Sequence, residues 1–258
     1  MRTVLVTGAS SGIGRACAER LARNGWRVVA GVRNAGDGPE GTEELLLDVA
    51  NVGTIEIGDV DALVNNAGIA VAGPLEYLPL DELRRQLEVN VLGQLAVTQA
   101  LLPKLRAARG RVVFIGSIAG RSSLPFLGAY AISKFGLEAM ADALRVELRP
   151  FGISVSIVEP GTIATPIWTK PQPAVDELAR EAGELYGERA ARLRSVAAAR
   201  AAKAAPVESV AAAVEHALTA AKPKTRYLVG PDAKKRARVQ RLPDRWRDRV
   251  LARFLFGS

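Results

Sequence analysis

The sequence predicts an α/β fold: one doubly wound, parallel β-sheet with helices on both faces, in a single domain. Three observations point there. Short apolar runs alternate with longer helical stretches, a glycine-rich turn joins the first strand to the first helix, and turn-forming residues follow several strands. Val4, Leu5 and Val6 form the first apolar run, Gly8, Gly12 and Gly14 follow at once, and Ala16 to Leu21 continue as a helix. The segment WRVVAGVR, Trp26 to Arg33, is the second strand, so the first thirty-odd residues form a βαβ unit. Ala62 to Asn65 reads as the fourth strand. Helical stretches at Leu80 to Arg106 and Gly136 to Arg149 separate it from strands at Arg111 and Ile153, as a parallel sheet with crossovers requires. An Ala-, Glu- and Arg-rich helical insertion is expected over 166–206, and VESVAAAVEHAL is a late helix. No internal repeat is evident.

Composition agrees with one cytoplasmic globular domain. At 258 residues the chain is long for an average domain but within the reach of one doubly wound sheet. Hydrophobic residues make up 48%, enough for a sizeable core, and no run approaches the ~20 apolar residues of a membrane span. Arg2 leads straight into the first strand, so no signal peptide is expected. The single Cys17, on the first helix, reads as a core residue rather than a redox thiol. His216, the only histidine, lies in the late helix away from every motif and reads as structural.

Three segments carry chemistry. Glycines at the first strand-to-helix turn allow unusual backbone angles and bring the main chain close to a pyrophosphate, which then rests on the helix N-terminus. The spacing is TGxxxGxG, with Thr7 in front and Ser10 and Ser11 inside the loop. Ser117 follows the strand Val112 to Ile115 just past its C-terminal end, where open α/β sheets place their ligands. Tyr130 lies thirteen positions later and Lys134 four beyond that. On a helix, i and i+4 share a face, so an ammonium sits beside a phenol. At about 4 Å and an effective dielectric near 20 their attraction is roughly 4 kcal/mol before desolvation, enough to acidify a tyrosine for general acid/base work. Taken singly, each signal has a plainer reading as a solvated Tyr–Lys pair, a glycine turn or a serine cap.

The stretches TGASSGIG (Thr7 to Gly14), LDV (Leu47 to Val49), NNAG (Asn65 to Gly68), the Asn of LEVNVLG (Asn90), IGS (Ile115 to Ser117), YAISK (Tyr130 to Lys134) and EPGTIAT (Glu159 to Thr165) occur in one order across most of the chain. Together they resemble a short-chain dehydrogenase/reductase of the compact type. That resemblance implies a Rossmann-type sheet and a role for each matching residue. Tyr130 would be the catalytic acid/base, and Lys134 would lower its pKa and bind the nicotinamide ribose. Ser117 would hydrogen-bond the substrate oxygen, and Asn90 would help hold a water in a proton relay behind Lys134. Gly8, Ser10, Ser11, Gly12, Ile13 and Gly14 would cradle the cofactor phosphates. Asp48 would accept from the adenine amino group, with Val49 packed near the ring. Asn66, Ala67 and Gly68 would line the adenosine side, and Pro160, Gly161, Ile163 and Thr165 would flank the carboxamide and phosphates. No metal is implied.

Cofactor choice rests on the end of the second strand. NAD enzymes with this unit usually place a carboxylate there for the ribose hydroxyls, whereas this chain offers Gly31, Val32, Arg33 and Asn34. A guanidinium suits a 2′-phosphate, and Ser10 would add a hydroxyl, so the expectation is NADP(H) over NAD(H).

The charge is uneven. From Lys222 to Arg253 there are twelve Lys/Arg and three Asp/Glu, so the whole formal charge of +8 comes from the C-terminus. Domain boundaries are expected at 1–231 for the nucleotide-binding unit and 232–258 for a basic amphipathic tail with Leu242, Trp246, Val250, Leu251, Phe254 and Leu255 near helical spacing. Packing on the domain or a partner subunit, and peripheral contact with an anionic membrane, both fit such a tail; no nucleic-acid partner is expected. Trp168, Leu185 and Tyr186 are candidate walls of the substrate site within the insertion. The tail and the run around Tyr130 look most like the branch of 17β-hydroxysteroid and retinol dehydrogenases. That implies a homodimer or homotetramer acting on a hydrophobic alcohol or ketone; a 3-oxoacyl-thioester reductase and a non-enzymatic NADP(H) sensor are the alternatives.

Overall fold

In a computed structural model, residues 1–53, 55–168 and 182–256 are described; the middle of the expected insertion and the side chains of Trp168, Phe254 and Leu255 lie outside them. The strands are β1 (Thr3–Thr7), β2 (Arg27–Val32), β3 (Glu43–Leu46), β4 (Ala62–Asn65), β5 (Arg111–Ile115), β6 (Ser154–Pro160) and β7 (Arg226–Val229). They pair in the order β3-β2-β1-β4-β5-β6-β7, every pair parallel. Leu5 of β1 stands between Val29 and Leu63, its partners on the two sides.

Strand alternation sorts the core into two layers. Val4 and Val6 of β1 join Cys17 and Leu21 of α1 (Gly12–Arg23) and Val210, Val214 and Leu218 of α6 (Val207–Thr219). Leu5, between them, points the other way, to Val97 and Leu101 of α3 (Gly93–Ala107) and Leu137 and Leu144 of α4 (Gly128–Glu147). Cys17 is fully buried, and burial pushes its thiol up to about 12, so it is inert packing. His216 Nδ1 lies 2.9 Å from the Tyr227 hydroxyl at the β7 edge.

Three elements differ from the sequence expectation. The stretch expected to be one helix from Leu80 is α2 (Leu80–Leu87), a π-helical turn (Glu88–Leu92) and α3. There the chain passes so close to the loop after β3 that a Cβ at Gly93 would collide with the Val49 carbonyl. Helix α4 begins at Gly128, eight residues before the expected start, so Tyr130 and Lys134 lie in its first two turns. Strand β3 carries exposed Glu43, Glu44 and Leu46 and shows no buried alternation, because it is the sheet edge.

Sheet order reverses at β1, whose neighbours β2 and β4 run off to opposite sides, and the crevice beyond their carboxyl ends is where such sheets bind ligands. The insertion contributes α5 (Gly183–Ala201). Beyond β7 the basic tail forms α7 (Pro231–Val239) and α8 (Asp244–Phe256). Helix α8 packs against α5, with Trp246 and Val250 exposed. No helix among the described residues is long and apolar enough to cross a membrane.

Candidate active site

The glycine loop is held by backbone geometry that only glycine meets easily. Gly8 has φ +64°, and a Cβ there would come within 2.9 Å of the Ala67 Cα. A Cβ on Gly14 would collide with the Gly8 carbonyl. The loop is braced from the end of β4: Asn66 Nδ2 donates to the carbonyls of Thr7 (2.9 Å) and Gly8 (3.1 Å), and Thr7 Oγ1 accepts from the N–H groups of Asn66 and Ala67 at 3.0 Å each. Asn66 is thus a brace beneath the loop, and the sequence motif gave no sign of that. Ser11 makes no side-chain cap on α1, and no acidic residue occupies its first turn. The first N–H groups of α1 therefore suit a phosphate.

Beyond this turn lies a cleft of about 460 Å³. Of the residues singled out from the sequence, Gly8, Ser10, Ser11, Gly12, Ile13, Arg33, Asp48, Val49, Asn66, Ala67, Gly68 and Thr165 line it. Gly14 packs beneath the loop, and Pro160 is the last residue of β6. Gly161 sits against Asp232, and Ile163 bridges Ala205 and packs on the core; neither lines this cleft. The lining also includes Leu47 of the LDV motif and Ile69, Ala70, Arg85, Val89 and Ile167, apolar or helical positions to which the motifs gave no role. Arg33 is exposed at the cleft and makes no ion pair among the described residues. Asp48 Oδ1 accepts from the Ala50 N–H at 3.0 Å, which shapes the turn carrying Val49.

Tyr130 closes the inner wall, packed with Ala119 and with Ala70 and Ile167, which also line the cleft. Ser117, capping the short turn Ile118–Gly120 after β5, accepts from the Ala119 N–H at 3.1 Å and is hydrogen-bonded to the Tyr130 side chain. Lys134 is buried beneath them, its Nζ donating to the Ile115 carbonyl at 2.8 Å and lying 5.7 Å from the centre of the Tyr130 ring. Asn90, in the π-helical turn, is fully buried. Its Oδ1 accepts from the Ile69 N–H (2.8 Å), and its Nδ2 donates to the Ile69 carbonyl (2.9 Å) and Ser133 Oγ (3.0 Å).

One expectation is corrected here. The i, i+4 spacing implied that the Lys134 charge acidifies Tyr130. Instead burial pushes the phenol up, and what favours its ionised form is the Ser117 hydrogen bond and the Arg236 charge. Lys134 is turned to a carbonyl, and burial depresses it to about 8 against the pull of Glu138.

Behind Lys134 a carboxylate cluster continues the same helix face. Glu138 (α4) meets Arg226 (β7), whose Nε is 3.2 Å from its Oε2; Arg226 also reaches Asp142 (2.6 Å) and fully buried Glu159 (3.2 Å), which contacts Arg121 at 3.3 Å. Burial and the Glu159 charge push Glu138 up to about 7, against Arg226. A folded value above the unfolded one means that its stabilising contribution is complete below the unfolded pKa and is lost as pH rises through about 7. Lys134, depressed to about 8, acts in the opposite sense and above that window. Glu138→Gln is expected to flatten the fall in Tm between about pH 5 and 8, followed by circular dichroism. A curve as steep as the wild type would contradict this.

The short chain dehydrogenase family matches residues 2–176, which include the glycine loop, Ser117, Tyr130 and Lys134. The chain belongs to this family. It is 46% identical over 183 residues to a 3-amino-tetrahydro-pyrrolizinone reductase of Xenorhabdus hominickii, a match covering 66% of this chain and 64% of that protein. It is 36% identical to an NADPH-dependent 3-dehydrocapnine reductase of Ornithobacterium rhinotracheale, over 97% and 96% of the two chains. Retinol dehydrogenase 5 of Mus musculus is 37% identical over 90% of this chain and 81% of its own. Among solved structures, a short chain dehydrogenase from Burkholderia cenocepacia in complex with NADP superposes with a TM-score of 0.74 at 25% identity over the full length of both chains. Other chains of the same fold were solved with NAD or NADH.

As a short chain dehydrogenase, the protein is an oxidoreductase with a nucleotide-binding cleft. This dehydrogenase has a second cavity, about 690 Å³, between the segment that links Ser117 to Tyr130 and the tail helix α8. Its walls include Leu124, Phe126, Phe135, Tyr186 and Leu251. The Tyr186 hydroxyl donates to Glu76 at 2.6 Å, and its ring meets Tyr77 and Phe126 edge-on. Tyr186 was a wall candidate from the sequence; Leu185 is exposed and absent from this lining.

Proposed function

We propose that this dehydrogenase interconverts a secondary alcohol and a ketone, or an alcohol and an aldehyde, of a hydrophobic substrate, using NADP(H). The observation that carries the reading is the buried, hydrogen-bonded Ser117–Tyr130 pair packed against the wall of the nucleotide cleft. The dinucleotide fits this chain: α1 offers uncapped N–H groups, Gly8 and Gly14 leave no room for side chains, and Arg33 replaces the carboxylate of NAD sites. When bound, the nicotinamide gives or takes the hydride.

The chain's own residues handle the proton. Burial keeps the Tyr130 phenol protonated at neutral pH, so its Oη donates to the substrate oxygen as that oxygen gains charge. Ser117, already bonded to Tyr130, offers a hydroxyl to the same oxygen. Lys134, fixed by the Ile115 carbonyl beneath Tyr130, would bind the nicotinamide ribose. Asn90 holds the Ile69 backbone and Ser133 and so positions α4 against the cleft.

A reductase panel of steroids, retinoids, quinones and acyl thioesters, read by NADPH consumption, tests the reading. Turnover of an apolar ketone supports it, turnover of acyl thioesters alone moves the substrate class to lipid thioesters, and no consumption across the panel contradicts catalysis.

A homo-oligomer is part of the proposal. Ile132, Phe135 and Val146 recur on one stripe of α4 and are 44%, 46% and 69% exposed. Light scattering is expected to give a dimer or larger, and Phe135→Glu to shift it toward monomer; a monomeric wild type would contradict this.

A further inference from the structure

The basic tail brings one cation to the segment that links Ser117 to Tyr130. Asp232, in the first turn of α7, accepts from the Thr162 N–H and hydroxyl, both at 2.8 Å, which fixes α7 against the loop leaving β6. One helical turn later, on the same face, Arg236 Nη2 donates to the Ser122 carbonyl at 2.7 Å, within the segment that links Ser117 to Tyr130. Ser122 is 3% exposed, so the guanidinium is lodged against buried backbone. Its Nε is buried with no hydrogen-bond partner.

The charges that face Arg236 do not neutralise it. Burial above all depresses it to about 10, with Arg200 of α5 acting in the same direction and Asp232 and Tyr130 against it. Asp232 is already committed to Thr162, and among the described residues no carboxylate forms an ion pair with Arg236. Desolvating a cation without a partner is costly, and the guanidinium fork matches a carboxylate. The second cavity begins nearby, its walls including apolar Leu124, Phe126 and Leu251 together with the charged Glu76, Arg121, Arg247 and Asp248.

Building on the oxidoreductase reading, we infer that Arg236 binds a carboxylate of the substrate, carried within a few atoms of the reacting carbon, while an apolar chain occupies the neighbouring cavity. The substrate class is then an amphiphilic hydroxy or keto acid, not a neutral alcohol. The guanidinium that helps Tyr130 ionise thus also orients the molecule whose oxygen Tyr130 serves.

Calorimetric titration of the NADP⁺-loaded protein with 3-hydroxydecanoate and with 3-hydroxydecanamide tests this, because the pair differs in charge at one position. The wild type is expected to bind the acid about tenfold or more tightly than the amide, as a charge-assisted pair allows. Arg236→Gln is expected to bring the two within about twofold by weakening the acid alone, and Arg236→Lys to keep part of the preference. Equal wild-type affinities, no binding of the acid, or a preference that survives Arg236→Gln overturns the assignment. The wild-type comparison stands whether or not a variant folds. A wild type that binds no NADP⁺ overturns the dinucleotide reading and this inference together, whereas a loaded enzyme indifferent to the carboxylate overturns Arg236 alone.

Discussion

Tyr130→Phe is expected to lower kcat and kcat/KM together by about 10²- to 10⁴-fold, the range of a positioned general acid, with NADPH affinity within about threefold of wild type. The substitution is close to isosteric. The ring is 8% exposed and packs on Ala70, Ala119 and Ile167, contacts that phenylalanine keeps. What disappears is Oη, and with it the Ser117 bond and the proton that reaches the substrate oxygen. A purely structural tyrosine would show a lower Tm and a modest, evenly shared loss of activity. Steady-state kinetics beside a cofactor titration distinguishes the two, and wild-type turnover in the variant would remove Tyr130 from the mechanism.

The second large effect concerns the dinucleotide. Arg33→Ala is expected to weaken NADPH binding by about 10- to 100-fold, the range of lost charge-assisted bonds to a phosphate, and to change NADH affinity by less than about threefold. Arg33 stands just past the end of β2, exposed at the cleft, so the group it would hold is the one that distinguishes the two dinucleotides. An exposed cation is screened, and the preference for NADPH should narrow as salt rises. Equal wild-type affinity for NADH and NADPH in a fluorescence titration would refute the role given to Arg33.

Most of the fold was legible because buried parallel strands announce themselves. Val4 to Val6, Ala62 to Asn65 and Val112 to Ile115 are largely apolar runs followed by turn residues, and each is a strand with those bounds or within a residue of them. Strand β3 was not legible, since an edge strand with glutamates outward carries no burial signal. The start of α4 was missed as well: the helix begins on Gly128, a residue type that ordinarily disfavours helix.

The site was legible in its motifs and illegible in its electrostatics. Ser117, Tyr130 and the glycine loop stand where their spacing put them, yet the i, i+4 rule assigned the acidifying charge to Lys134. Spacing fixes which face a side chain shares, but not which carbonyl its charge turns to, and the Ile115 carbonyl captures the ammonium. Arg236 is more than a hundred residues from Tyr130, so no local pattern joins them; only the return of α7 across the site does. The tail's net charge was visible, but the contact of Arg236 with the Ser122 carbonyl was not.

The central claim is that this chain moves a hydride between a nicotinamide and a carbon whose oxygen Tyr130 protonates. The direct measurement supplies [4,4-²H₂]NADPH with the best ketone of the panel and reads the product by mass spectrometry. Wild type is expected to place one deuterium on the carbinol carbon, and Tyr130→Phe to yield almost no labelled product in the same time. A product without deuterium, or equal labelling by the variant, would contradict the account.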